Sequence, residues 1–191
     1  MDEAILFLKL GLYHVLDWQA YDHVLFLIVL AVIYTLIDWK KVFWLITLFT
    51  LGHSLSLTLS AYKIAEMNTA IVEFLIPLTI FITAVTNIFT VKNKNKSTIN
   101  LFFAFFFGLI HGLGFSTYFK MLVDDTDAKL LPLFNFAIGI EIAQVIIVMA
   151  ILSIAYSVQK FFKVPKRDWV LVISAIVIGI VIPMLIERKI W

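Results

Sequence analysis

Four histidines stand in 191 residues, and two of them fall within one short stretch, GLYHVLDWQAYDH, from Gly11 to His23. Asp17 and Asp22 lie beside them, while His53, His111 and Glu141 sit inside long apolar runs. Neutral imidazole offers a nitrogen lone pair, and a carboxylate offsets the charge of a bound dication. Imidazole with carboxylate and no thiolate suits nickel, cobalt, zinc or copper(II). The chain has no cysteine, which excludes disulfides, thiolate metal sites and a cysteine nucleophile. Metal binding by these groups should weaken as the histidines protonate below about pH 6.5.

The elements that must carry these residues are apolar. The chain is 62% hydrophobic and only 15% charged, with a mean hydropathy of +1.02. A soluble domain is roughly 45–50% apolar. The charges cluster between apolar runs, which is the pattern of an all-α, polytopic transmembrane bundle. The net charge of +2 is small. The lysines and arginines therefore read as topology signals, with the lipid bilayer and a metal ion as partners and no nucleic acid. Residues 1–20 are not expected to be a cleavable signal peptide, since Asp2 and Glu3 stand where a basic region belongs.

Six runs are long enough to span: about 21–37, 42–61, 70–91, 99–120, 130–158 and 169–186. They form a single transmembrane domain over 1–191, with short loops and no convincing internal repeat. Residues 4–16 are shorter than the roughly 20 residues a span needs, and Lys9 interrupts them. The expectation there is a short interfacial or half-inserted helix that brings His14 towards His23, with Trp18 and Tyr21 at headgroup level. An outside N-terminus puts nine cations on the inner face (Lys40, Lys41, Lys92, Lys94, Lys96, Lys160, Lys163, Lys166, Arg167) and six elsewhere. The bias favours that orientation, and Asp124, Asp125 and Asp127 then face outward.

Depth follows from counting. His23 lies at the outer mouth of the first span. His53 is about 12 Å from the outer end of its span, His111 about 13 Å and Glu141 about 16 Å, at 1.5 Å per residue. Ionisable groups inside spans are costly, and at matched depth on separate helices they read as a functional site. Ser56 and Ser60 share the face of His53, and Gln144 shares that of Glu141. Gly108 and Gly114 flank His111 and would admit a close neighbour. Thr79, Thr83, Thr86, Asn87 and Thr90 form a polar stripe that reads as helix glue. The Phe102–Phe107 run reads as lipid-facing or packing surface.

FTLGHSLSLTL (49–59), FGLIHGLGFS (107–116), FAIGIEIAQ (136–144) and GLYHVLDWQAYDHVLFL together resemble the blocks of the HupE/UreJ membrane proteins. The resemblance implies a divalent nickel- or cobalt-type permease, with His14, Asp22, His23, His53, His111 and Glu141 as metal positions. The spacing from His14 to Asp22 is longer than the usual pattern, Ala20 stands where a glycine is expected, and Ala137 replaces a polar residue. The expected location is the bacterial inner (cytoplasmic) membrane. Two alternatives stay open. One is a zinc-dependent intramembrane hydrolase using Asp22, Ser54, Ser56 and Glu141. The other is a b-type haem protein with His53 and His111 as axial ligands.

Overall fold

The computed structural model describes residues 3–17, 21–91, 97–123 and 129–190, with backbone alone for 97–100. Trp18, Lys92, Lys94, Lys96, Asp124, Asp125 and Asp127 lie outside the described residues. Among those described there is no strand. The helices are α1 (Glu3–Leu16), α2 (Asp22–Ala31), α3 (Trp39–Ala61), α4 (Thr69–Thr90), α5 (Ser97–Val123), α6 (Leu130–Phe161) and α7 (Lys166–Glu187), with a 3-10 turn over Leu36–Asp38 before α3. Five of them, α3 to α7, are long and apolar enough to cross a membrane. The chain is a multi-pass membrane protein. Apolar side chains such as Phe102, Phe106, Ile146 and Ile176 face outward, as a bilayer requires.

Local chemistry sets the helix ends. Thr35 donates its hydroxyl to Asp38 at 2.9 Å, and the Thr35 backbone N–H reaches the same carboxylate at 3.3 Å. Asn68 caps α4 by accepting the Ala70 N–H at 2.9 Å. Pro77 lies inside α4 and has no N–H, so it cannot serve the carbonyl of Glu73 one turn back. Arg188, just past the end of α7, donates to that carbonyl at 3.4 Å. The Arg188 end of the bundle also holds the Lys120–Glu66 ion pair at 2.8 Å. At the opposite end, Thr35 and Leu36 meet Ala155, Tyr156, Gln159 and Lys160 around a shared cavity.

α1 is the short helix expected over 4–16, and it brings His14 to His23, ring centroids 4.6 Å apart; α2 is shorter than the run expected over 21–37. α2 has ten residues, about 15 Å of helix, half a hydrocarbon core. Yet the chain from α1 onward descends along α5 in steps of one turn. Phe7 packs on Phe119 and His14 on Phe115. His23 then meets His111, and Phe26 meets Phe107. Val29 and Ile33 line a cavity with Phe103 and Ala104. α1, which ends at Leu16, and α2, which starts at Asp22, thus meet successive turns of α5 in chain order.

Small residues draw the scaffold together. A Cβ on Gly52 would collide with the Phe105 carbonyl, one on Gly108 with the Phe49 carbonyl, and one on Gly112 with the His53 carbonyl. The rising register shows that α3 and α5 run parallel in backbone contact. Gly11 of α1 and Gly139 of α6 make the same kind of approach, to Phe136 and Leu8 respectively. Backbone proximity of this sort is how helices associate where lipid removes the hydrophobic drive.

Candidate metal centre

The break between α1 and α2 delivers two histidines to the bundle interior, and the glycine-packed α3–α5 pair delivers two more. One ligand nitrogen each from His14, His23 and His53 lies within 4.8 Å of the others. Ring centroids are 4.6 Å apart for His14 and His23, 5.6 Å for His14 and His53, and 5.3 Å for His23 and His111. His53 and His111 are almost wholly enclosed, at 0% and 1% exposure.

Around them stands an aromatic box of Phe26, Phe49, Phe115 and Phe136. The box excludes water and lowers the local dielectric. Inside it, His14 Nε2, His23 Nε2, both nitrogens of His53 and His111 Nδ1 are buried with no hydrogen-bond partner among the described residues. A buried polar atom without a partner costs about 1–3 kcal/mol, so five in one cluster call for a ligand. The enclosed nitrogen set fits a transition-metal ion.

Asp22 stands beside this cluster and orients it. Its Oδ1 lies 3.1 Å from His23 Nδ1 and accepts the His23 backbone N–H at 2.9 Å. With Nδ1 engaged, Nε2 is the nitrogen left to face a ligand, the usual carboxylate–histidine arrangement. Arg188 lies 3.8 Å from the other Asp22 oxygen. This guanidinium was not anticipated from the sequence; a cation just after the last span is the signal that could have suggested it.

The remaining predicted positions are placed elsewhere. Glu141 is not gathered with the histidines. Its two oxygens accept from the hydroxyls of Thr47 and Thr50 on α3, and the Thr50 hydroxyl also lies 3.2 Å from Gln144 Oε1. Ser56 donates to the carbonyl of His53 at 3.0 Å and so serves the backbone. Ser54 Oγ is buried without a partner. The close neighbour of the His111 helix approaches at Gly108 and Gly112; Gly114 faces Ile76 and Val72 instead. α3 and α5 touch backbone to backbone beside His53 and His111.

Inward of the cluster, a cavity of about 60 Å³ is walled by Thr83, Thr86 and Asn87 on one side and Phe103 and Phe107 on the other. Asn87 donates to the Val29 carbonyl at 2.7 Å, where α2 nears its end. Thr83 and Thr90 bond back to their own helix.

The family described as HupE / UreJ protein matches residues 1–188. No curated protein and no solved structure matches the chain.

Proposed function

This chain belongs to the HupE/UreJ family, and from that premise we propose that it is a divalent-metal permease of the nickel/cobalt type in a bacterial inner membrane. It crosses six times with its N-terminus outside, the first crossing being the broken α1–α2 path. The observation that carries the reading is the convergence of unpartnered imidazole nitrogens from α1, α2 and α3 within 4.8 Å, inside a membrane bundle.

His14, His23 and His53 hold the ion in transit, and Asp22 fixes the His23 tautomer. His111, 3.4 Å from the Thr79 hydroxyl through Nε2, completes the set from below. Three neutral imidazoles carry no charge, so a nearby carboxylate reduces the charge cost of a dication in a dry site. The cavity beside Thr83, Thr86 and Asn87 supports onward passage, since it offers oxygen ligands one turn inward of His111. It lies where a half-helix ends, and the carbonyl end of a helix favours a cation.

One observation favours a second reading, a zinc-dependent hydrolase: Ser54 Oγ is buried without a partner next to His53. Against it, both candidate bases are already engaged, Asp22 by His23 and Glu141 by two threonines.

Reconstituted protein tests the proposal. Proteoliposomes should take up Ni²⁺ or Co²⁺ down a gradient, and the His53→Ala variant should not. Uptake that persists in His53→Ala rejects the ion path. Metal binding without transport in the wild type would turn the assignment to the hydrolase.

A further inference from the structure

The end of the bundle opposite Arg188 carries a second polar feature, which shares no residue with the histidine cluster. A cavity of about 260 Å³ lies between the Leu36–Asp38 turn and the last turns of α6. Leu36 and Ala155 wall it with apolar groups, and Thr35, Tyr156, Gln159 and Lys160 with polar ones. Its level follows from the length of α3. At the far end of that helix, the Lys129 ammonium donates to the Ala61 carbonyl at 3.5 Å, which marks one aqueous boundary. The stretch Leu36–Ala61 has 26 residues, about 39 Å at 1.5 Å per residue. A hydrocarbon core is roughly 30 Å thick, so the cavity lies at headgroup level on the other side. The exposed Trp39 and Phe161 beside it suit that level.

The polar wall is built for an anion. The Lys160 ammonium donates to the Tyr156 hydroxyl at 3.0 Å. It also lies 5.2 Å from the Tyr156 ring centre and 6.0 Å from that of Phe161, so two rings hold it in place. An ammonium has further protons to give, and the Tyr156 oxygen, already an acceptor, keeps its own proton to donate. Among the described residues no carboxylate pairs with Lys160, whereas Lys41 pairs with Asp38 and Lys120 with Glu66. From Asp38 to Lys41 and from Lys160 to Asp168 the chain carries six cations and two carboxylates. Such a surface attracts anionic headgroups.

We propose that this cavity holds the phosphate of one anionic phospholipid, with Lys160 and Tyr156 donating to it. The cavity is too small for a whole lipid, so the acyl chains run outside it. Met149 and Ile146 lie on the same face of α6 as Tyr156 and are exposed, which gives the chains an apolar track. A zwitterionic headgroup would set its own cation against Lys160; an anionic one does not.

Phosphatidylglycerol or phosphatidylcholine titrated into protein in neutral detergent, read by native mass spectrometry, tests the site. One phosphatidylglycerol per chain should be retained, more tightly than phosphatidylcholine. Lys160→Gln keeps the stem of an exposed side chain and should weaken that retention roughly fivefold, the size expected for one cation near a headgroup. Tyr156→Phe keeps the ring and should weaken it less. Lys189→Gln, an exposed cation at the opposite end, should change nothing. Inorganic phosphate in large excess should not displace the lipid. Equal retention of the two lipids, or wild-type retention in Lys160→Gln, would overturn the site. Full displacement by inorganic phosphate would make it a free-phosphate site and overturn the lipid as its occupant.

Discussion

Two polar clusters share α3, one turn apart, and they are opposites. At His53 the imidazoles are packed against one another with nitrogens unpartnered. At Thr47 and Thr50 the hydroxyls close on both oxygens of Glu141. Both clusters place ionisable groups inside an apolar bundle. In the second, both carboxylate oxygens of Glu141 have partners within the protein, whereas the first leaves both nitrogens of His53 without one among the described residues. A buried polar network that is complete stabilises a helix contact, whereas one left open is stabilised by something it binds. The Glu141 cluster therefore reads as a joint between α3 and α6, and the histidine cluster as a receptor.

The sharpest way to break this contrast is to remove one member from each. His53→Ala should lower retained metal by roughly 100-fold or more, measured by elemental analysis after dialysis, because a ligand is lost outright. Glu141→Ala should behave in reverse. Metal affinity should stay within about threefold, while unfolding in detergent should show a loss of about 1–2 kcal/mol as two hydroxyls lose their acceptor. If Glu141→Ala instead empties the site, the carboxylate is a ligand in the working state and the contrast fails.

Arg188 sharpens the comparison at the edge of the receptor. Its guanidinium lies 3.8 Å from Asp22, which in turn engages His23. Arg188→Gln removes a repulsive charge and should tighten metal binding a few-fold, as titration calorimetry would show. Arg188→Lys should restore the wild-type value. Weaker binding in Arg188→Gln would mean that the Glu73 carbonyl contact matters more than the charge.

The smallest effect belongs to the surface pair at the same end. The Lys120 ammonium beside Glu66 holds its carboxyl below the usual carboxylate range. A depressed carboxylate stabilises above its unfolded pKa of about 4.3, and that contribution is lost as pH falls through the lower folded value. Glu66→Gln should lower the melting temperature at pH 7 by no more than about 2 °C. The difference should close as pH falls through that lower folded value.

Much of this was legible in the chain. The helices α3 to α7 fall within a few residues of the expected runs, because long apolar segments leave little choice. His53, His111 and Glu141 were expected at common depth with His23 at the outer mouth, and the His23 ring lies 6.1 Å from that of His53 and 5.3 Å from that of His111. The misreadings share a cause. Counting residues gives a level along a helix axis but not a direction around it. Glu141 lies near the histidine level, yet points to Thr47 and Thr50. Gly114 flanks His111 in sequence, but Gly108 and Gly112, four apart, form the face that α3 touches; the matching Gly52 and Ser56 spacing was the available sign. The division between α1 and α2 was legible, since 4–16 is too short to span, but the end of α2 at Ala31 was not, because the apolar run continues past it.

The paired glycines have a mechanical consequence. Backbone contact at Gly52 and Gly108 couples α3 to α5, and contact at Gly11 and Gly139 couples α1 to α6. Each pair is a stiff girder, since sliding either helix would drive backbone into backbone. His14 belongs to one girder and His53 to the other, so an ion held by both acts as a rivet between two rigid bodies.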